Sequence, residues 1–329
     1  MTVRLYGSMM SSFISNALDA AVVPGFSKIG FAIRKRLGAW PPISDFGMLG
    51  KIVIITGPTS GIGLEVARML APTGANLVLV ARNQQKCELL IEDLAPLCTG
   101  EPPVFVQAEM GDLQSVRRAC AEIRQRYARI DVLVHNAGAL LNTRQVSPQG
   151  IEQTIASHVV GPFLMTTLLQ PLLEGGRVVT VSSGGMYSSA LPSAETAASL
   201  QMPEINYKGS KQYAAAKRAQ VTLNEMWATK QPRIEFVAMH PGWADTPGVR
   251  ESIPGFRRIT APILRSAREG ADTIAWLAAV APLPGASGTF WSDREIRSTH
   301  KILKTRKCDT EANRAALWKQ VEHLSNLGN

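Results

Sequence analysis

The stretch KIVIITGPTSGIG, residues 51–63, decides the fold of this chain, because an apolar run leads directly into a glycine-rich turn. The β-branched run 51–56 predicts a buried strand, and the residues from about Ile62 to Leu70 predict a helix. This order is typical of the first unit of an α/β sheet that binds an anionic ligand at the turn. The sequence that follows repeats the same strand–helix alternation.

Three glycines of this turn have separate expected roles. Gly57 permits the sharp turn after the strand, Gly61 lets the backbone approach a pyrophosphate, and Gly63 permits close packing of the helix. The helix N-terminus adds N–H donors and partial positive charge. The turn therefore predicts the phosphate-binding part of a dinucleotide site.

Further apolar runs follow, and helical stretches separate them. They lie at 76–81, 103–108, 131–136, 176–182 and 234–240, with a candidate seventh strand at 288–291. Continuous apolar strands separated by helices indicate a parallel sheet that is covered on both faces. The predicted fold class is α/β, a single doubly wound parallel sheet (Rossmann fold) with short terminal extensions.

The expected domain organisation has three parts. Residues 1–49 form an N-terminal extension that is amphipathic and could contact a membrane surface, and residues 50–292 form the sheet domain. Residues 293–329 form a basic C-terminal tail with a short helix.

Composition and charge exclude several classes of function. The net charge is +9, but no nucleic-acid motif accompanies the basic residues, so nucleic acid is not an expected partner. The four cysteines lack CxxC or metal-type spacing, so no metal site is predicted and a reduced compartment, the cytoplasm, is expected.

One long uncharged segment could pass for a membrane span. Residues 153–173 are long enough to cross a bilayer, but His158, Gly161 and Pro162 interrupt them and a strand follows almost at once. We interpret the segment as a buried helix or a helix at a subunit interface, which leaves a homodimer open.

The N-terminal extension contains an apolar helical stripe with basic residues off it. The stripe consists of Phe26, Ile29, Ile33 and Leu37. This pattern suits a helix that lies on a membrane surface or on the protein itself, and a targeting presequence is the weaker alternative.

The end of the second strand indicates which dinucleotide is bound. Chains of this fold that bind NAD usually carry an acid there to hold the ribose hydroxyls, whereas this chain has Ala81 followed by Arg82. A guanidinium can pair with a 2′-phosphate, so NADP is the expected cofactor and NAD the alternative. A plain surface arginine is the competing interpretation.

The stretch SKQYAAAKRAQ, residues 210–220, holds Tyr213 and Lys217 on one side of a helix. A lysine cation near a phenol favours the phenolate, so the tyrosine pKa should fall and Tyr213 could act as a general acid/base. Such a pair also occurs by chance in Ala/Lys-rich helices.

Short motifs follow three other strands at the edge where ligands of such sheets bind. After the fourth strand, Asn136 can brace the sheet, while Ala137 and Gly138 let a cofactor approach. VSSGG (181–185) follows the fifth strand, and HPGWADTPG (240–248) follows the sixth.

Taken together, TGxxxGxG, the Asn-Ala-Gly triplet, a serine after the fifth strand, YxxxK and the Pro-Gly after the sixth strand resemble the short-chain dehydrogenase/reductase superfamily over about residues 50–292. The resemblance implies hydride transfer between a nicotinamide and a carbonyl or alcohol carbon, with Tyr213 as acid/base. Lys217 would lower the tyrosine pKa and bind the ribose. Ser183 would hold the substrate oxygen, with Ser182 as the second candidate.

The resemblance also implies a set of cofactor contacts. They are Gly57, Ser60, Gly61, Ile62, Gly63, Arg82, Asp112, Asn136, Ala137, Gly138, Tyr213, Lys217, Pro241, Gly242 and Thr246. Asp112 would lie near the adenine, and Thr246 near the carboxamide or the phosphates.

One position departs from the family pattern. His158 stands where the family commonly has an asparagine whose backbone carbonyl holds a relay water. A backbone role can survive this change, but the change leaves open a nucleotide-binding protein with lapsed activity that acts in binding or at a membrane surface.

The expected substrate is a small carbonyl or alcohol compound of lipophilic character. This expectation rests on a segment that mixes apolar and basic side chains, namely Trp243, Ile253, Phe256, Ile263, Arg250, Arg257 and Arg258.

Overall fold

A computed structural model of the chain describes residue 15 and residues 22–196, 199–252 and 254–326. In this part of the chain, an eight-stranded sheet has the order β3-β2-β1-β4-β5-β6-β7-β8. Its strands are β1 Ile52–Thr56, β2 Asn76–Ala81, β3 Val104–Gln107, β4 Val132–His135, β5 Arg177–Val181, β6 Glu235–Met239, β7 Phe290–Ser292 and β8 Glu295–Ile296.

Strands β1 to β7 pair in parallel, and β8 pairs with β7 in antiparallel orientation. The strand order reverses between β1 and β4, which is where a doubly wound sheet opens a crevice for a ligand. The predicted Rossmann fold is therefore confirmed, including the seventh strand.

Helices cover both faces of the sheet, and further helices lie before the first strand and after the last one. They are α1 Val22–Phe26, α2 Lys28–Leu37, α3 Gly61–Leu70, α4 Gln84–Leu94, α5 Leu113–Arg126, α6 Gln153–Leu172, α7 Gly209–Lys230, α8 Pro247–Ser252, α9 Pro254–Thr260, α10 Ala267–Ala279, α11 Leu303–Lys307 and α12 Glu311–Ser325. Within α6, Ala156–Val160 form a π-helical turn.

In the described residues, the two larger hydrophobic cores lie on opposite faces of the sheet, because the strands bury side chains on both faces. One core unites the apolar faces of α5, α6, α7 and α12, and the other unites those of α3, α4 and α10. Helix α6 is apolar enough to span a membrane, but 67% of its most apolar window is buried inside the protein. It therefore has the character of a core helix, as one of the two sequence interpretations expected.

The C-terminal helix α12 is part of the first core. Leu317, Val321 and Leu324 are buried in it, and the Trp318 ring lies 5.0 Å from the Phe163 ring of α6, measured between centroids. The hydrophobic core therefore extends into the segment after residue 292, while the division of the chain at that residue stays a prediction.

The N-terminal helix α2 lies on the protein, with a different face inward from the one the stripe predicts. Phe31 and Arg34 are buried, whereas Ile29 and Leu37 are 49% and 42% exposed. The reason is an ion pair, because the Arg34 guanidinium binds the buried Asp293 carboxylate. Residues 1–14 and 16–21 of the predicted extension lie outside the described residues.

Asp293 has a second partner and anchors this end of the chain. Arg265 binds its carboxylate at 2.6 Å, and both side chains are about 1% exposed. Burial by itself would raise the pKa of Asp293, but the charges of Arg265 and Arg34 outweigh it and hold that pKa below its ordinary value.

Candidate active site

A cleft of about 420 Å³ opens at the carboxyl ends of the central strands. Most of the predicted site residues line it, namely Gly57, Ser60, Gly61, Ile62, Gly63, Arg82, Asn136, Ala137, Gly138, Tyr213, Lys217, Pro241 and Thr246. The topology thus brings together residues that are far apart in the chain, because parallel strands end at one edge of the sheet.

The glycine-rich turn is held tightly against the loop after β4. Gly57 has a φ of +67°, and a Cβ at this position would lie 2.8 Å from the Ala137 Cα. A Cβ at Gly63 would lie 2.3 Å from the Gly57 carbonyl oxygen. The Asn136 amide donates hydrogen bonds of 3.0 Å to the carbonyls of Thr56 and Gly57, so the predicted bracing role is confirmed.

Helix α3 begins where this turn ends, and its first turn faces the cleft. Its N-cap residue, Ser60, makes no side-chain hydrogen bond to the helix. The first N–H groups of α3 are therefore not capped by a serine side chain, and an anion in the cleft could bind them. These residues fit the diphosphate of a dinucleotide.

Tyr213 and Lys217 lie one turn apart on α7, and Ser183 stands opposite them. The Ser183 side chain lies close enough to the Tyr213 hydroxyl to lower the pKa of the tyrosine. The Lys217 Nζ lies 5.4 Å from the centroid of the Tyr213 ring and donates a 2.8 Å hydrogen bond to the Val181 carbonyl. Tyr213 and Lys217 line the cleft together with Ser182, whereas Ser183 lies outside the cleft lining in this structure.

The two serines after β5 have different partners. The Ser182 hydroxyl is buried and donates a 2.9 Å hydrogen bond to the Lys217 carbonyl, which fixes α7 to the end of β5. Ser183 accepts a 3.2 Å hydrogen bond from the Gly185 N–H and contacts Tyr213. Ser183 is thus the serine with a hydroxyl beside the candidate acid/base.

The electrostatics of the pair differ from the sequence expectation in one respect. Burial raises the pKa of Tyr213, and the Ser183 hydrogen bond lowers it only in part. Burial also lowers the pKa of Lys217 to about 7, so its positive charge is weakened at neutral pH. The lowered tyrosine pKa predicted from the spacing is therefore wrong for the protein without ligand, because desolvation is the largest effect on the Tyr213 pKa.

His158 lies in the π-helical turn of α6 and is 1% exposed. Its Nε2 lies 2.9 Å from both the N and the O of Ala139, and its ring meets the Tyr213 ring edge-on with centroids 5.4 Å apart. A Cβ at Gly138 would lie 2.3 Å from the His158 ring, so this imidazole explains why glycine is needed there. The His158 backbone carbonyl accepts a 2.7 Å hydrogen bond from the Gln220 amide.

Arg82 reaches the cleft from the end of β2, where it already has a partner. Its guanidinium binds the Glu109 carboxylate at 3.2 Å, and the Arg82 side chain is 80% exposed. Glu109 lines the cleft together with Met110, and the sequence analysis missed both. Their position directly after β3, at the ligand edge of the sheet, was the available signal.

Two predicted cofactor residues do not line the cleft. The Asp112 carboxylate caps helix α5 by accepting hydrogen bonds from the Gln114 N–H and the Gln149 amide. Gly242 packs against Arg265, where a Cβ would lie 2.5 Å from the guanidinium carbon. Both residues therefore stabilise the surroundings of the cleft in this structure.

The segment after β6 carries the charges that the sequence analysis associated with a substrate. Asp245 binds both Arg250 and Arg257 at 3.0 Å, and hydrogen bonds from Arg257 and Arg250 lower its pKa to about 2. Trp243 packs on Phe26, with ring centroids 5.9 Å apart, and does not line the cleft. Ile253 lies outside the described residues.

Comparison with known proteins settles the family. The model of the family described as short chain dehydrogenase matches residues 51–255. The chain belongs to the short-chain dehydrogenase/reductase family. As a member it is an oxidoreductase that acts on CH–OH or C=O groups of a small molecule with a nicotinamide cofactor.

Several curated relatives in this family cover most of the chain. Dehydrogenase/reductase SDR family member 12 of Homo sapiens is 38% identical over 263 residues, which is 78% of this chain and 80% of that protein. Its Bos taurus counterpart is 36% identical over 284 residues, covering 84% of this chain and 86% of that protein. A Streptomyces sp. (strain C5) protein, provisionally named daunorubicin C-13 ketoreductase DnrU, is 32% identical and covers 76% of this chain and 85% of its own.

Solved structures share the fold. A protein from Escherichia coli CFT073, described as a short chain dehydrogenase complexed with NADPH, superposes with a TM-score of 0.62 at 22% identity. The match covers 77% of this chain and 99% of that one. At this identity the likeness shows the family fold alone.

Proposed function

We propose that the protein is an NADP(H)-preferring oxidoreductase in which Tyr213 is the general acid/base. The observation that carries the proposal is the position of Tyr213 and Lys217 in the lining of the cleft, with Ser183 beside Tyr213. The contact between the Tyr213 and Ser183 hydroxyls supports the assignment of Ser183, rather than Ser182, as the residue that holds the substrate oxygen.

The chemistry follows from these side chains. The bound nicotinamide supplies or accepts the hydride. The Ser183 hydroxyl donates a hydrogen bond to the substrate oxygen, and Tyr213 gives that oxygen a proton in reduction or removes one in oxidation. A negatively charged cofactor held beside Lys217 would raise the pKa of the lysine, and the resulting ammonium charge would favour the phenolate of Tyr213.

Preference for NADP is proposed from the position of Arg82. Its guanidinium stands after β2 where an acid would select NAD, and no acid follows this strand directly. Glu109 is the acid nearest to Arg82 in the described site, and it neutralises Arg82 in the absence of a cofactor. A 2′-phosphate would have to displace the Glu109 carboxylate from Arg82.

The substrate is proposed to be a lipophilic ketone or aldehyde. The provisional name of the Streptomyces relative supports a ketone on a large ring system as one candidate class. Cytoplasmic location, a homodimer and peripheral membrane contact through the N-terminal segment are further proposals. The exposed Ile29 and Leu37 beside the exposed Lys28 and Lys35 support the membrane contact.

The decisive test is Tyr213→Phe, which removes only the ionisable hydroxyl. Turnover should fall by roughly the 10²–10⁴ of a general acid/base group, while the Kd for NADPH stays within about threefold. Lys217→Ala should impair both turnover and cofactor binding. Tyr207→Phe is the matched control, because its hydroxyl binds Glu152 at 2.9 Å away from the cleft.

The assay is NADPH oxidation with a panel of aldehydes and ketones. A Tyr213→Phe enzyme that keeps most of its rate on a good substrate would overturn the mechanism. NADPH binding without turnover of any panel member would favour the alternative, a nucleotide-binding protein whose activity has lapsed.

A further inference from the structure

A small cavity lined by buried side chains lies behind the candidate active site, between α6, α7 and the strands β4, β5 and β6. Its volume is about 30 Å³. A water molecule needs about 10–15 Å³ of such space, so the cavity has room for about two. His158 lines both this cavity and the cofactor cleft, and its ring therefore forms part of the wall between them.

Several residues that line this cavity have polar atoms without a hydrogen-bond partner in the protein. Among its lining residues, these atoms are the Nδ1 atoms of His135 and His158, the Oε1 of Gln220, and both side-chain amide atoms of Asn224. All four side chains are at least 95% buried. A buried polar atom without a hydrogen bond costs about 1–3 kcal/mol, so this concentration of them in one place requires an explanation.

Flipping the His135 ring or the Gln220 amide cannot satisfy their unpartnered atoms without a loss elsewhere. The other nitrogen of His135 is bonded to the Thr166 hydroxyl at 2.8 Å, and the Gln220 amide nitrogen donates to the His158 carbonyl at 2.7 Å. Flipping either group would break a bond that exists. Water can donate and accept, and it makes about three hydrogen bonds in such sites, so it matches this mixed set of atoms.

We propose that the cavity holds about two ordered water molecules and that His158, anchored by them, is a positioning residue for the Gly138–Ala139 segment of the cofactor cleft. The imidazole spans the wall, with Nδ1 bound to water on the cavity side and Nε2 bound to the Ala139 backbone on the cleft side. Either neutral tautomer satisfies both sides, because water and the Ala139 peptide each offer a donor and an acceptor.

The positioning role follows from the contacts of the ring. The imidazole fills the space that a Cβ at Gly138 would occupy and bonds to the next residue, so it determines how closely this segment approaches the cleft. Burial and then the Lys217 charge hold the pKa of His158 well below its ordinary value, although the Ala139 bond opposes them. The ring therefore stays neutral and does not itself carry the catalytic proton.

The water sites are tested on the protein without cofactor, independently of the proposed function. Asn224→Leu replaces two partners of the waters by an apolar group of similar size and should lower the melting temperature by roughly 2–4 °C. Thr222→Val is the matched control, because its hydroxyl is also buried and unpartnered on α7 but does not line the cavity. This variant should melt at or above the wild-type temperature.

Two results would overturn the water sites. One is a melting temperature that Asn224→Leu leaves unchanged or raises as Thr222→Val does, which would indicate a dry cavity. The other is a crystal structure at about 1.5 Å or better without water density between His135, His158 and Asn224; this measurement also decides the question if Asn224→Leu does not fold.

The positioning role rests on the proposed function and is tested by two substitutions at one position. In His158→Gln the terminal amide can still reach Ala139, whereas in His158→Asn a polar atom remains only on the cavity side. His158→Asn should weaken NADPH binding by about three- to tenfold, as the loss of one hydrogen bond implies, and His158→Gln should restore it. The pH profile of kcat should stay unchanged in both.

Equal NADPH affinity in the two variants would show that the Ala139 bond does not position the cleft. A limb of the kcat profile that disappears near neutrality in His158→Asn would show instead that the imidazole relays the proton. Failure of the proposed function would appear separately, as full activity in Tyr213→Phe.

Discussion

Removal of the Glu109 charge should make NADPH binding tighter while leaving NADH binding nearly unchanged. In the structure the Glu109 carboxylate lies 3.2 Å from the Arg82 guanidinium, and both side chains are at least 36% exposed. An exposed pair of this kind contributes about 0–1 kcal/mol, which a 2′-phosphate must replace. Direct repulsion between the phosphate and the carboxylate at about 6 Å adds about 1 kcal/mol in a highly solvated site. The sum of about 1–2 kcal/mol predicts a roughly 5- to 30-fold lower Kd for NADPH in Glu109→Gln.

Both cofactors should be titrated by quenching of protein fluorescence in a low-salt buffer, with Glu88→Gln as control. Glu88 is an exposed acid on α4 that hydrogen-bonds Gln84 outside the cleft. Arg82→Ala should weaken NADPH binding by one to two decades, in line with about 1.5–3 kcal/mol for a charged hydrogen bond. The benefit of Glu109→Gln should shrink in the double variant and at high salt.

Two outcomes would refute this reasoning. Glu109→Gln could leave the NADPH affinity unchanged, which would mean that the ion pair does not compete with the cofactor. NADH could bind as tightly as NADPH and be insensitive to Arg82→Ala, which would remove the basis for NADP preference.

Two further predictions concern stability. Because burial lowers the pKa of Lys217 from 10.5 to about 7, the unfolded chain binds more protons than the folded chain between these values. Lys217 should make the unfolding free energy rise with pH by at most about 1.4 kcal/mol per pH unit from pH 7 to 10. In urea titrations, the Lys217→Met variant should lack this dependence on pH. An equal dependence in wild type and variant would contradict the prediction. A chain that begins at residue 41 loses the Arg34–Asp293 bond and should be less stable by about 2 kcal/mol or more, with turnover per folded molecule retained; an unchanged denaturation midpoint would contradict the structural role of the extension.

The strands were predictable because their signal is local. Strand β2 spans 76–81 as expected, and β1 begins one residue later than the predicted run at Ile52. Continuous β-branched runs of this kind are typical of strands that are buried on both faces of the sheet. The motifs after the strands then had to meet at one edge of the sheet, so most of the cleft was predictable as well.

Strand β8 was not predictable, because its turn depends on long-range charges. Asp293 and Arg294 both have positive φ, 54° and 56°, in a two-residue hairpin that usually contains glycine or asparagine. Ion pairs hold this backbone in place: Asp293 binds Arg34 and Arg265, and Arg294 binds Asp272 at 2.8 Å. A local sequence pattern cannot indicate such a pairing, because Arg34 and Asp293 are 259 residues apart in the chain.

The details of the site that the sequence analysis missed depend on neighbours in the same way. The pKa of Tyr213 depends on how deeply α7 is buried, and the spacing of Tyr213 and Lys217 contains no information on desolvation. The family pattern suggests that the His158 carbonyl holds a relay water. In the structure this carbonyl accepts a hydrogen bond from the Gln220 side chain of helix α7. Asp112 resembled a cofactor residue and instead caps α5.

The same ion pairs connect the N-terminal segment to the cofactor cleft. Arg265 binds Asp293, donates to the Pro241 carbonyl at 3.3 Å and fills the space beside Gly242. Pro241 lines the cleft, and Arg34 of the N-terminal helix binds the same carboxylate as Arg265. In this arrangement two arginines pair with one buried acid, and Arg265 is the one that contacts the segment after β6. The basic residues of the extension therefore have two distinct environments: Arg34 is buried in an ion pair with Asp293, and Lys28 and Lys35 are exposed.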